Sequence, residues 1–134
     1  MGVEGRVVVD SSVFAAILLK EPGHEANAQA LSVVRGVYSV PFFRFEVANA
    51  LWKQKKWSET DLDAALETLW KIPVSQRFEM ADAQVAMQLA RTHNHPYYDT
   101  AFIALAQNLN LPLWTLDKRQ ASLAATCDVT VVAL

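Results

Sequence analysis

Two rhythms of hydrophobic positions alternate along the chain. Val7 to Val9 is a short continuous β-branched run, the pattern of a strand buried on both faces. Ser11 or Ser12 then offers an N-cap for an apolar helix over Val13 to Leu19, which Glu21-Pro22-Gly23 ends, and an alanine-rich helix follows from His24 to Val33. Gly36 to Val40 reads as a second strand, closed by Pro41 before a long helix from Phe42 to about Lys56. Ser58 followed by Asp61 has the spacing of a capping box and opens a helix through about Lys71. Ile72-Pro73-Val74 is at best a short edge strand, because proline cannot donate to a ladder. Ala83, Met87 and Ala90 recur at helical spacing between Glu79 and Thr92, and a further helix spans about Tyr97 to Asn108. Leu111 to Thr115 predicts a strand, Lys118 to Ala124 a short helix and Val129 to Val132 a last strand. Strands alternating with helices imply parallel pairing through right-handed crossovers. The expectation is an α/β fold, a parallel sheet of about four to five strands flanked by helices, with residues 1–134 forming one domain.

Composition narrows the classes. A chain of 134 residues that is 52% hydrophobic can bury a sizeable core. No apolar stretch approaches the ~20 residues that cross a bilayer, and no basic start precedes a secretory type of apolar segment, so a cytoplasmic location is expected. The single cysteine, Cys127, excludes an internal disulfide and a cysteine zinc site and is expected to be a small buried residue. The formal net charge of −2 argues against a basic nucleic-acid binder only at first sight.

Four acids change that reading: Asp10 after Arg6-Val7-Val8-Val9, Glu46 in Phe45-Glu46-Val47-Ala48-Asn49, Asp99 in Tyr97-Tyr98-Asp99-Thr100-Ala101, and Asp117 in Trp114-Thr115-Leu116-Asp117. With these four set aside, ten of the 14 acidic residues remain against 12 lysines and arginines, which permits phosphate binding elsewhere on the surface. Asp10 and Asp117 follow strand-like runs, and binding sites in open parallel sheets form outside the carboxyl ends of strands. Glu46 shares a helix side with Phe42, Phe43, Asn49 and Ala50, and a carboxylate on so apolar a side needs a partner, with Asn49 one turn on. Asp99 shares a face with Phe102 and Ile103. Structural roles compete at all four: Asp10 can start a turn, Glu46 can be an exposed helix glutamate, Asp99 sits where a helix dipole favours an acid, and Asp117 can cap a helix at Lys118 with Gln120 as box partner. Four carboxylates in one pocket repel one another unless a cation is present, and hard oxygen donors suit Mg²⁺ or Mn²⁺ far better than zinc. Such an ion supports in-line attack of water on a phosphodiester, with Glu46 or Asp117 as candidates to take the water's proton.

With these residues in place, the chain resembles the PIN-domain ribonucleases, most closely the VapC-like toxins of prokaryotic toxin and antitoxin pairs. The resemblance runs through Val8-Val9-Asp10-Ser11-Ser12-Val13, Glu46-Val47-Ala48-Asn49-Ala50-Leu51, Tyr98-Asp99-Thr100-Ala101 with Ile103-Ala104-Leu105-Ala106, and Leu113-Trp114-Thr115-Leu116-Asp117. Each motif is weak alone; their order and spacing are specific. The resemblance implies a metal-dependent endoribonuclease with Asp10, Glu46, Asp99 and Asp117 around one or two Mg²⁺ or Mn²⁺ ions. It further implies support from the hydroxyls of Ser12 and Thr115, a homodimer, and silencing by a cognate antitoxin whose tail enters the catalytic groove.

Other residues carry weaker signals. Arg44 stands two residues before Glu46 and Lys118 and Arg119 adjoin Asp117, which makes them candidates for phosphate contact, whereas Lys53, Lys55 and Lys56 read as a solvated helix end. His93 and His95 fall in a loop without matching acids and read as surface or helix-ending residues. The four tryptophans read as core or interface. An aspartyl phosphotransferase of the haloacid dehalogenase type would want an acid where this chain has Ser12. A catalytically silent PIN-like module that binds RNA or protein is the non-enzymatic rival, and RNA maturation is an alternative task for a nuclease.

Overall fold

The computed structural model describes residues 5–132. Its elements in chain order are β1 (Arg6–Val9), α1 (Ser11–Leu18), α2 (His24–Val33), β2 (Gly36–Ser39), α3 (Phe43–Trp52), α4 (Glu59–Lys71), β3 (Ser75–Gln76), α5 (Met80–His93), α6 (Tyr97–Leu109), β4 (Leu113–Trp114) and α7 (Lys118–Thr126). The strands form one parallel sheet in the order β3-β2-β1-β4. Arg6 to Val8 pair with Gly36 to Tyr38, and Val8 and Val9 pair with Leu113 and Trp114. The chain therefore runs outward from β1 on one side of the sheet and returns to β1 on the other, which puts a topological switch point between β1 and β4. In open α/β sheets ligands bind at the carboxyl side of that point, and Asp10 and Asp117 stand there.

Val7, Val8 and Val9 are all fully buried, as expected of a strand covered by helices on both faces. The core is built around them by Phe14, Phe43, Val47, Leu51, Leu69 and Trp114, with the Phe14 and Phe43 rings 4.8 Å apart. Helix α6 is buried at every position from Thr100 to Ala106, and the Thr100 hydroxyl donates to the Ala86 carbonyl at 2.8 Å, tying α6 to α5. Burial of this length fixes the first turn of α6, and with it Asp99, against the sheet.

The structure corrects several sequence-based expectations. Asp10, not Ser11 or Ser12, caps α1. Helix α3 stops at Trp52, four residues short of Lys56, and the chain passes through turns, with Gln54 N–H to Leu51 O and Trp57 N–H to Gln54 O, before Ser58 takes an extended conformation as the N-cap of α4. The Ser58 and Asp61 capping box is present. Pro73 displaces the edge strand to Ser75–Gln76. The last strand reduces to one parallel bridge, Leu113 to Val131, flanked by Leu113 N–H to Thr130 O at 2.8 Å and Val132 N–H to Leu113 O at 2.9 Å. Among the described residues the sheet thus has four strands. Cys127 is only half-buried, with its Sγ 3.9 Å from His93 Nε2. Among the described residues no helix is long and apolar enough to cross a membrane.

Candidate active site

The two strand-end acids share one local design. Asp10 follows β1, is buried at 5% exposure, and its Oδ1 accepts from the Ser12 N–H at 3.0 Å and from the Ser12 hydroxyl. Asp117 follows β4 after two residues and its Oδ1 accepts from the N–H groups of Arg119 at 2.9 Å and Gln120 at 3.1 Å, capping α7. A short side-chain oxygen at an N-cap satisfies donors that the helix cannot. Both residues therefore also serve the local backbone, each through a single carboxylate oxygen, but the expected box partner Gln120 does not return a bond to Asp117, whose N–H goes to Thr115 Oγ1 instead. Ser12 links the two halves: its Oγ accepts from Leu116 N–H at 2.9 Å and lies 3.4 Å from Thr115 Oγ1, while Thr115 Oγ1 accepts from Asp117 N–H at 3.1 Å.

The helix-borne acids are held differently. Glu46, in the first turn of α3, is half-buried and its Oε1 accepts from the Ser11 hydroxyl at 2.7 Å. Asp99, in the first turn of α6, is half-buried with its Oδ2 3.3 Å from His95 Nε2. Among the described residues Asp10 Oδ2, Glu46 Oε2, Asp99 Oδ1 and Asp117 Oδ2 accept no hydrogen bond. Asp10, Glu46 and Asp117 thus each have one oxygen tied down and one available, while Asp99 has one oxygen facing His95 and one available.

Electrostatics joins the four. Burial pushes the Asp10 carboxyl up to about 6, the Asp117 charge adds to the rise, and the hydroxyls of Ser12 and Thr115 oppose it. Burial likewise raises Glu46, opposed by the Ser11 hydroxyl and aided by the Asp99 charge. Asp99 is raised by burial and by Asp117, against the pull of His95 and Arg119. Asp10 feels Asp117, Asp117 and Asp99 repel, and Glu46 feels Asp99, so one chain of repulsion runs through all four. Among the described residues no three His, Cys, Asp or Glu side chains already close around a common point. The donor set nevertheless fits a hard divalent cation: only carboxylate oxygens, one unspent per residue, with burial making the charges of Asp10, Glu46 and Asp99 costly without a counterion while Asp117 stands exposed at the rim. The acids line neither of two concavities, of about 570 and 710 Å³, whose walls include residues such as Ile17, Trp57, Leu31 and Val74.

Several other expectations change. Arg44 does not reach the acids: it is buried at 9% exposure, donates to the carbonyls of Leu69 (3.4 Å) and Ile72 (2.9 Å) at the end of α4, and stacks 4.6 Å from the Phe43 ring. A cation at a helix C-terminus satisfies its last carbonyls, so Arg44 joins α3 to α4. Asn49 is exposed and makes no side-chain hydrogen bond among the described residues. Lys118 and Arg119 are exposed, with Arg119 close enough to Asp99 to act on its charge. Lys53, Lys55 and Lys56 are exposed, Lys55 resting 4.1 Å over Trp52. Trp114 is core, whereas Trp52 and Trp70 are exposed. His93 is exposed in the last turn of α5, but His95 is buried beside Asp99 and not at the surface.

The contacts that three residues make with the acids escaped the sequence reading. Ser11 gave a signal only as a possible cap. His95 had an acid four residues on, a spacing that could have flagged it. Gln120, 2% exposed, donates through Nε2 to the Asp99 carbonyl at 2.6 Å, and nothing local announces that contact.

Comparison with known proteins agrees with this architecture. A family model described as PIN domain matches residues 7–126. Ribonuclease VapC3 of Pyrobaculum aerophilum is 32% identical over 122 residues, covering 87% of this chain and 92% of its own. Among solved structures, FitAcB from Neisseria gonorrhoeae has a TM-score of 0.70 at 18% identity, covering 95% of this chain and 96% of that one. VapC20 of Mycobacterium tuberculosis, a sarcin-ricin loop cleaving toxin, has a TM-score of 0.65 at 15% identity, with coverage of 87% and 93%. Identities this low make the two structures a likeness of fold.

Proposed function

This chain belongs to the PIN-domain family, and on that premise we propose that it is a divalent-metal-dependent endoribonuclease, the toxin of a toxin and antitoxin pair. The observation that carries the reading is the placement of Asp10 and Asp117 at the carboxyl side of the β1/β4 switch point, joined through Ser12 and Thr115, with Asp99 and Glu46 near enough for their charges to act in turn. The relative that shares 32% of its residues with this chain is a ribonuclease. In this reading Asp10, Glu46, Asp99 and Asp117 hold one or two Mg²⁺ ions, with Mn²⁺ as a substitute. A bound ion positions water, lowers its pKa and neutralises charge that builds on the phosphodiester.

The protein's own groups supply the rest. Ser12 and Thr115 hold Asp10 and Asp117 in register across β1 and β4, and Glu46 or Asp117 takes the proton of the attacking water. Arg119 and Lys118 attract the RNA backbone beside Asp117, and Asn49, one turn along α3 from Glu46, is free to hydrogen-bond substrate. The whole of residues 1–134 acts as one nuclease domain, cytoplasmic and homodimeric, held inactive by a cognate antitoxin.

The test compares the wild-type protein with Asp10→Asn and Asp99→Asn on single-stranded and structured RNA, with Mg²⁺, Mn²⁺ or EDTA. Cleavage by wild type alone, abolished by EDTA, is the expected result. Cleavage that survives both EDTA and the substitutions would overturn the metal reading. A second reading, a catalytically silent RNA- or protein-binding module, draws on the fact that among the described residues no three acids yet converge on a point. Absence of cleavage on every RNA, with no growth inhibition when the protein is expressed alone, would favour it. A neighbouring reading frame for a DNA-binding antitoxin separates a toxin from a nuclease of RNA maturation.

A further inference from the structure

The tight connection between α5 and α6 places one imidazole where the candidate site needs an anchor. Asn94 takes a left-handed conformation at φ 49°, His95 N–H returns to the Ala90 carbonyl at 3.1 Å, and Pro96 starts α6. The turn drives the His95 side chain inward until only 4% of it is exposed. Its Nε2 is buried and has no well-aligned hydrogen-bond partner among the described residues; the group facing it is Asp99 Oδ2 at 3.3 Å. A buried ring nitrogen left unpaired is costly, by about 1–3 kcal/mol in general, so the imidazole and the carboxylate are bound to each other's position. Gln120 pins the same turn from the other side through the Asp99 carbonyl.

The other three acids show what such an anchor does. Asp10 Oδ1 is held by Ser12, Glu46 Oε1 by Ser11, and Asp117 Oδ1 by the first amides of α7, and in each the second oxygen is left over. Asp99 has no hydroxyl or amide in that place and has His95 instead. We infer that His95 is a positioning residue for Asp99: carrying its proton on Nε2, it fixes Oδ2 and so turns Oδ1 toward the neighbouring acids. The inference rests on the proposal that Asp99 is a metal ligand. Outer groups that orient a ligating side chain generally change metal affinity by about 10–100-fold when lost.

The test is Mn²⁺ titration of the full chain by calorimetry for wild type, His95→Gln, His95→Asn, His95→Leu and Asp99→Asn, with thermal melts in EDTA alongside. Glutamine places an amide near the Nε2 position and asparagine does not reach it. His95→Gln should bind Mn²⁺ much as wild type does, while His95→Asn and His95→Leu should bind on the order of 10–100-fold more weakly. Should His95→Leu not fold, the glutamine and asparagine pair carries the comparison, since both are polar and similar in bulk. A ring that only fills space would shift the melts and leave Mn²⁺ affinity unchanged, which would overturn the inference, as would a His95→Gln as weak as His95→Asn. If wild type and Asp99→Asn give the same isotherm, the metal reading itself fails and this inference falls with it.

Discussion

The strand-end half of the site and its helix-borne half reach a similar arrangement by different means. Asp10 and Asp117 are held by helix caps, bonds local to the loops after β1 and β4, and those two loops are joined by the Ser12–Thr115 hydroxyl contact. Glu46 and Asp99 each depend on one side chain, Ser11 across 35 residues of sequence and His95 one helical turn away. Several bonds hold the first pair, whereas one contact orients the side chain of each acid in the second. In the proposed metal site, Glu46 and Asp99 are therefore the acids whose side-chain placement depends on a single neighbour. That contrast can be broken experimentally, from the largest effect to the smallest.

Replacing Asp10 with asparagine should reduce RNA cleavage on the order of 10³-fold or more, worth about 4 kcal/mol of transition-state stabilisation. In metal-free protein the same change should stabilise the fold at neutral pH. A carboxyl raised from 3.8 to about 6 binds its proton more tightly folded than unfolded, so stability falls as pH rises through that window. The loss is complete above it and amounts to about 3 kcal/mol at most. Denaturant melts in EDTA between pH 4 and 8 should show this decline in wild type and a flatter profile in Asp10→Asn.

Ser12→Ala removes the bond to Asp10, the partner of Leu116 N–H and the contact with Thr115. Cleavage should fall about 10–100-fold and stability by about 1–3 kcal/mol, read by kcat and by urea melts. Ser11→Ala removes one bond, to Glu46. A loss of about 0.5–1.5 kcal/mol, hence roughly tenfold at most in cleavage, is expected. Equal effects of the two serine substitutions would refute the difference between the halves. Arg44→Ala serves as the outlying control: it should lower the melting temperature through lost α3/α4 packing and leave the KM for RNA unchanged, because Arg44 points at Leu69 and Ile72.

Local chemistry made much of this legible. The Val7–Val9 run, the Ser58 and Asp61 box and the alternation of strands with helices announce the parallel α/β fold from the residues alone. Asp10 and Asp117 are readable because each directly follows or closely trails a strand. What stayed hidden depends on distant packing. Whether Arg44 faces phosphate or helix carbonyls is decided by residues 25 and 28 positions away. His95 is buried because the α5/α6 turn folds it inward, although its polarity and the adjoining Pro96 read as an exposed loop. The Val129–Val132 run has strand propensity, yet it meets only one neighbour at the sheet edge and pairs at one position.

Anomalous diffraction from crystals soaked in Mn²⁺ tests the central claim most directly. A peak at the carboxyl side of β1 and β4, about 2.1 Å from oxygens of Asp10 and Asp99, with Glu46 or Asp117 drawn in, is the expected result. Its absence at saturating Mn²⁺, or a peak held by other residues, would contradict a metal site built from these four acids.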